Sequence, residues 1–311
     1  MKRKLITISV ILTGLFAVIA AFSFPYDVDA PLSAQEMEKA RQYYASAYQS
    51  SAAASEKASS EAETKYLQVA AEADQNSHIT EQVQDFVQRF HLQQRPVLDI
   101  GSGRGYLQDL VENYTGLDIS PTVARFYHKK FVLGSATAMP FADNSFDAAW
   151  SIFVFEHVPN PEQALRECRR VLRDGAVLLQ LPAWNVPNWA ADGYPVRPYS
   201  DFNVAGKLIK ASIPVRTLLP VRAASRVSAR AARAAAFALP GPTSLHYRRL
   251  KPNYKDYWMP DSDAVNSLDR YEVMTWFRSR GDDCLSCDGI SGSVFMSLPP
   301  YLIVRIHKRP M

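Results

Sequence analysis

The sequence predicts an α/β domain built on a mostly parallel sheet, and two observations carry that prediction. Between Pro96 and Pro182, short apolar runs alternate with segments of helical periodicity, the pattern of strands joined by crossover helices. Near the end of the chain, Tyr301-Leu-Ile-Val-Arg-Ile306 is an apolar run with no helix after it, which suits a last strand running antiparallel to the others. Strands are expected over Val97 to Ile100, Thr115 to Ile119, Phe131 to Leu133, Ala148 to Phe153, Ala176 to Leu181, Cys284 to Cys287 and Tyr301 to Ile306, which makes a seven-stranded sheet.

Helices fit between these runs. The stretch from Pro161 to Arg173 starts with Pro in its first turn and stops at Asp174-Gly175, and a second from Leu268 to Arg280 stops at Gly281. Ahead of the first strand, Ile79 to Phe90 puts Val83, Phe86, Val87 and Phe90 on one face, which should pack on the domain. No internal repeat is present.

Composition narrows the class. With 311 residues and 47% hydrophobic content the chain is long enough for one large core with appendages, and its net charge of +4 argues for no polyanionic partner. Cys168, Cys284 and Cys287 are too few for a disulfide framework, so a reducing compartment is the default. Cys284 and Cys287 form a CxxC with no second Cys or His pair to complete a metal site, and they read as two half-buried thiols in a strand with no metal expected.

The N-terminus is different in kind. Lys2, Arg3 and Lys4 precede an uncharged apolar run from Leu5 to Phe24, close to the about 20 residues a membrane-spanning helix needs. Its length favours an uncleaved anchor over a signal peptide, although cleavage after Ser23 stays open. From Pro31 to about Asp74 the chain is rich in Ala, Ser, Glu and Gln and reads as helix, with the tract from Ser50 to Glu63 a solvated stalk. The expected organisation is an anchor or signal segment over 1–25, a helical stalk or extension over 26–78, and a catalytic domain over 79–311 with an insertion at 183–260.

The stretch that carries chemistry is Val97-Leu-Asp-Ile-Gly-Ser-Gly-Arg-Gly-Tyr-Leu107, an apolar strand entering a glycine-rich turn and then a helix. Gly101, Gly103 and Gly105 allow backbone to approach a ligand, and helix N–H groups behind the turn favour a carboxylate. The GxGxG spacing differs from the GxGxxG of dinucleotide folds. Asp118, ending the second strand in Gly116-Leu-Asp-Ile-Ser120, is placed to accept from both hydroxyls of a ribose. Further on come Gly134-Ser-Ala-Thr-Ala-Met-Pro-Phe141, Asn144-Ser-Phe-Asp147 and Phe155-Glu-His-Val158.

In that order these motifs resemble the class I S-adenosylmethionine-dependent methyltransferases, specifically the type 11 group that includes quinone-biosynthesis C-methyltransferases. The resemblance runs from about Tyr66 to Leu181 and returns from Asp263 onward. It implies a Rossmann-like fold, S-adenosyl-L-methionine as cofactor, and roles residue by residue. Asp99, Gly101, Gly103 and Gly105 would frame the methionine part, and Asp118 the ribose. Ala136 and Thr137 would contact adenine, with Ile119 or Met139 against the ring. Ser135 stands where the family usually has Asp, and Phe155, Glu156 and His157 should face the methyl donor. His157 is the candidate general base. Asp99 has a scaffold reading beside the ligand reading, and His157 a supporting one.

The insertion bears on substrate. Between Lys207 and Arg249 there are nine Lys and Arg residues and no acidic one, and Arg222, Arg226, Arg230 and Arg233 share one helical stripe. This reads as a membrane-surface segment or as a solvated cap, and no nucleic-acid module accompanies it. Trp184, Trp189, Tyr194, Arg197, Tyr199, Tyr247, Tyr254 and Trp258 line an acceptor pocket or pack the insertion onto the sheet. The expected function is methyl transfer to a small-molecule or lipid acceptor at a membrane. The alternatives are a cofactor-binding assembly factor without catalysis and a nicotinamide-dependent oxidoreductase. The positive-inside rule would export everything after the anchor, whereas a cytosolic cofactor and scarce cysteine place the domain inside.

Overall fold

The computed structural model describes residues 7–14, 33–50, 78–237, 242–287 and 300–308. Seven strands form one sheet: β1 (Val97–Ile100), β2 (Tyr114–Asp118), β3 (Lys130–Leu133), β4 (Phe146–Ile152), β5 (Leu172–Leu181), β8 (Asp283–Cys284) and β9 (Leu302–Arg305). Their order is β3-β2-β1-β4-β5-β9-β8. Strands β1 to β5 pair in parallel, while β9 runs antiparallel to both β5 and β8. A two-stranded ribbon, β6 (Arg248–Arg249) with β7 (Asn266–Ser267), flanks it.

Strand alternation splits the core into two faces. Leu98, Ile100, Ala149, Leu178, Leu302 and Val304 point to one. There they meet α3 (Pro161–Val171) through Ala164, Leu165 and Cys168, and α6 (Arg270–Arg278) through Val273, Met274, Trp276 and Phe277. Val97, Ala148, Trp150, Val177, Leu179 and Ile303 point to the other, under α2 (Ile79–Arg89) with Val83, Phe86 and Val87. Each end of α3 has a local cause: the Asn160 side chain accepts from Gln163 N–H at 3.0 Å, Pro161 fills the first turn, and the chain leaves into β5, passing through Gly175 at φ +77°.

Several expectations need correction. The glycine turn is followed not by an α-helix but by a single 3-10 turn, Gln108–Leu110, and β2 likewise leads into a 3-10 segment, Pro121–Phe126. The part of the helical extension that is described is α1 (Ala34–Ser50), helix as expected, and it packs on the domain with Ala40 and Tyr43 buried. A reciprocal box starts it, with Ser33 N–H donating to Glu36 Oε2 at 2.9 Å and Glu36 N–H to Ser33 Oγ at 3.3 Å. Cys284 and Cys287 are joined in a disulfide rather than standing as thiols, because the turn after β8 brings their Cα atoms to 5.6 Å. Cys168 is free and buried.

The insertion folds into α4 (Val204–Arg216) and α5 (Leu219–Phe237). The stripe on α5 is not a free cationic face, since Arg230 pairs with Asp269 at 2.9 Å and Arg233 with Glu272 at 2.8 Å, all four largely inside the protein. The aromatic cluster mostly packs the insertion on itself. Tyr194 stacks on Phe202, Arg197 lies over Phe202 and Trp258, and Arg216 over Trp189. Among the described residues no helix is long and apolar enough to cross a membrane. Of the expected anchor only 7–14 is described, as helix, and the tract 51–63 lies outside the described residues.

Candidate active site

The expected site residues sit where the parallel strands end, beside the order reversal between β1 and β4, where folds of this kind open a ligand cleft. At the tip of β1 the turn closes on β2: Gly101 N–H and Ser102 N–H both donate to Leu117 O, at 2.8 and 3.0 Å. Gly101, Gly103 and Gly105 sit at φ +71°, +49° and +69°, in the left-handed region that glycine enters without strain. Two of these glycines answer to the protein's own packing. A Cβ on Gly101 would lie 2.3 Å from a methyl of Val154, and one on Gly105 2.8 Å from the Tyr127 ring. The close approach expected of a ligand is therefore left to the Ser102-Gly103 backbone between them.

Asp118, at the end of β2, organises that backbone. Its Oδ2 accepts from Gly103 N–H at 2.9 Å and its Oδ1 from Ser120 N–H at 2.8 Å. Burial pushes its carboxyl above the ordinary carboxylate range, against the pull of the N–H groups of Ser120, Gly103 and Ile119. The carboxylate's acceptor capacity is not exhausted by these N–H groups, so it can still accept from a ribose hydroxyl. The fit to S-adenosylmethionine thus rests on a positive-φ turn locked to a buried carboxylate, flanked by half-exposed backbone at Gly101, Ser102 and Gly103.

The other expected contacts divide. Ile119 is exposed beside Asp118 and is free to cover a ring, whereas Met139 is buried in the core. Ala136 and Thr137 are half-exposed on the loop after β3. Ser135 Oγ accepts from Thr137 N–H at 3.2 Å and lies 2.8 Å from Thr137 Oγ1, so its hydroxyl already serves the turn. Phe155 does not line the cleft: at 2% exposure it belongs to the core, because the chain makes a 3-10 turn there and rotates the ring inward. Phe153, just before it, is held at φ +52°, a conformation costly for an aromatic residue.

Asp99 is placed as a scaffold carboxylate. It accepts from Tyr114 Oη at 2.8 Å and is 4% exposed. Burial pushes its carboxyl up to about 7, opposed by its contacts with Trp150 and Tyr114. A carboxyl whose folded pKa lies above its unfolded value stabilises the fold at low pH, and that contribution is lost as pH rises through about 7. Asp99 should therefore account for a loss of roughly 1 kcal/mol between about pH 6 and about pH 8 in the cofactor-free protein. Urea unfolding of the parent and of Asp99→Asn at both pH values checks this, with the pH dependence flattened in the variant.

After β4 four side chains meet. His157 Nδ1 lies 3.4 Å from Asp263 Oδ2, and Nε2 lies 3.9 Å from Glu156 Oε1. One donor atom each from Glu156, His157 and Asp261 falls within 4.8 Å of the others. Asp263 accepts from Tyr44 Oη on α1 at 2.8 Å, and the Tyr44 ring stands edge-on to His157. Thr122 Oγ1 donates to Ala45 O at 3.1 Å, so α1 spans from the ribose side of the cleft to this cluster. Burial opposes a charge on His157, but Asp263, Glu156 and Asp261 outweigh it and hold the imidazole above its usual range. Burial pushes Glu156 up to about 7.

Sequence reading reached Glu156 and His157 but missed Tyr44, Asp261 and Asp263. Asp261 and Asp263 follow the insertion with no motif around them, and the Tyr44 contact spans 219 positions.

Residues 98–179 match a family described as "Methyltransferase domain". Among curated relatives, malonyl-[acyl-carrier protein] O-methyltransferase 1 of Coxiella burnetii is 39% identical over 89 residues, which is 27% of this chain and 32% of that protein. The ubiquinone/menaquinone biosynthesis C-methyltransferase UbiE of Hahella chejuensis is 40% identical over 81 residues, 26% of this chain and 32% of that protein. Phthiotriol/phenolphthiotriol dimycocerosates methyltransferase 1 of Mycobacterium ulcerans is 30% identical over 124 residues, 35% of this chain and 46% of that protein. The chain thus spans less than half the length of each of these relatives. The family match sets aside the nicotinamide alternative. Sheet order, glycine turn, closing carboxylate and matched span agree: this chain carries a class I S-adenosylmethionine-dependent methyltransferase domain.

Proposed function

We propose that the protein transfers a methyl group from S-adenosylmethionine to a lipophilic acceptor at a membrane surface. The observation that carries the transfer is the Asp118 carboxylate bonded to Gly103 inside the positive-φ turn. When bound, the cofactor supplies a methyl group already activated on a sulfonium, so little chemistry is asked of the chain. Its residues hold and orient: the turn and Asp118 grip one end of the cleft, and His157, steadied by Asp263, meets the acceptor's polar atom at the other. Helix α1 covers the space between them and excludes water.

The lipid side of the proposal is supported by the α4–α5 corner. Val204, Leu208, Val215, Leu218, Leu219 and Val221 are exposed there, beside the exposed cations Lys207, Arg216 and Arg222. Apolar side chains rimmed by Lys and Arg suit an anionic lipid surface, and the apolar run over 5–24 would tether the chain to the same membrane. Relatives named for ubiquinone/menaquinone biosynthesis and for dimycocerosates point to the same acceptor class.

The test is incubation of the detergent-solubilised protein with S-adenosylmethionine tritiated on its methyl group and a total lipid extract. Label is expected in the organic phase, and S-adenosylhomocysteine should suppress it. Label that stays in the aqueous phase while the protein binds S-adenosylhomocysteine would rule out a lipid acceptor.

A further inference from the structure

We propose that Glu156, His157 and Asp261 hold a divalent first-row transition-metal cation at the acceptor end of the cleft. Three carboxylates, Glu156, Asp261 and Asp263, surround one imidazole, and Glu156 and Asp263 are fully buried. Buried carboxylates are costly unless a cation answers them, and the imidazole alone leaves the group in excess negative charge. Glu156 Oε2, Asp263 Oδ1 and His157 Nδ1 are buried with no hydrogen-bond partner among the described residues, so the cluster has bonding capacity that the protein does not consume.

The geometry separates ligands from support. The imidazole turns Nδ1 to Asp263, and Asp263 is itself fixed by Tyr44 Oη at 2.8 Å. At 3.4 Å the pair makes no hydrogen bond; drawn together by a cation on the other nitrogen, it would form the carboxylate–histidine arrangement that orients a metal-bound imidazole. Nε2 is thereby left facing Glu156. The three donor atoms lie within 4.8 Å of one another, whereas ligands sharing one cation at about 2.1 Å sit roughly 3.0 to 3.4 Å apart, so the side chains close by more than an ångström when the cation binds. Backbone fixes the approach: Val265 N–H donates to Glu156 O at 2.9 Å, and Asp261 sits at φ +62°. One nitrogen and two carboxylate donors suit Mn2+ and Zn2+, and three protein ligands leave positions open. With Nε2 on the cation, an open position beside the methyl donor, and no longer the imidazole itself, would take the acceptor's polar atom. That last point rests on the methyl-transfer reading above; the binding of the cation does not.

The test uses untagged full-length protein in detergent, stripped with a chelator and titrated with MnCl2 while free Mn2+ is read by electron paramagnetic resonance. We expect one Mn2+ per chain, displaced by Zn2+. Asp261→Asn and Glu156→Gln should each weaken binding at least ~10-fold, and Asp263→Asn by about 10-fold through the freed imidazole. Affinity for S-adenosylhomocysteine, measured by calorimetry on the same Asp261→Asn sample, should be unchanged, which reports a folded protein. Failure of the parent protein to bind Mn2+ or Zn2+, or equal affinity in Asp261→Asn and Glu156→Gln, overturns the inference and leaves the methyl-transfer reading standing. Loss of S-adenosylhomocysteine binding in the parent with Mn2+ binding intact would do the reverse.

Discussion

Replacing Asp118 with asparagine is expected to weaken binding of S-adenosylhomocysteine by at least ~100-fold, with the fold retained. The substitution keeps the shape of the side chain, so packing is not the cause. What changes is the donor and acceptor pattern. Both carboxylate oxygens now accept backbone N–H groups, from Gly103 and from Ser120. An amide offers one acceptor oxygen and turns an NH2 toward the other N–H. The turn loses a charge-assisted bond, and a ribose hydroxyl loses an acceptor. At roughly 1.5 kcal/mol or more for each bond to a charged group, two losses amount to about 3 kcal/mol, or about two decades of affinity. Calorimetry with the homocysteine product gives the number directly. Undiminished affinity in Asp118→Asn would mean that the cofactor lies elsewhere.

Arg233→Ala should cost about 3 kcal/mol of stability, the largest loss expected from any arginine on α5. Arg233 is buried, donates to Glu272 Oε2 at 2.8 Å, and adds bonds to Thr243 Oγ1 and Ser244 O. Removing it strands the Glu272 carboxyl, which burial already pushes up to about 7 despite its partner. Glu272 would then be kept neutral by a proton. Its folded pKa lies above its unfolded one, so the deficit should be smaller near pH 6 and grow as pH rises. Arg222→Ala, on the exposed end of the same helix, should stay within about 0.5 kcal/mol. Guanidinium chloride unfolding of the two variants at two pH values tests both the size and the sign. Equal effects at positions 222 and 233 would refute the inward-facing stripe.

The sheet was legible because its strands are buried on both faces and so read as continuous apolar runs between turn residues. β1 came out with the observed bounds, and β2, β3 and β9 within a residue at each end. The helix expected after the glycine turn was not there. Tyr106-Leu-Gln-Asp-Leu-Val has the right residue types, but the chain must reach β2 by Tyr114 and does so with one 3-10 turn. Arg230 and Arg233 looked like surface charge because sequence spacing shows a stripe and not what faces it. Their partners, Asp269 and Glu272, stand 39 positions away. Phe155 was misplaced for a similar reason, since adjacency to His157 says nothing about which side of a turn a ring takes. The place of Asp118 at the end of β2 was readable from the strand pattern. The Tyr44–Asp263–His157 cluster was not, because each member comes from a different part of the chain.

The position of β9 has a consequence for biosynthesis. It lies between β5 and β8, yet it is the last strand of the sheet to leave the ribosome. Until residue 305 has emerged from the exit tunnel, the edge of β5 from Val177 to Gln180 and the strand β8 lack the partner they have among the described residues. The nascent domain therefore displays a naked strand edge through most of its translation, a surface that chaperones would have to shield until the final zipper closes.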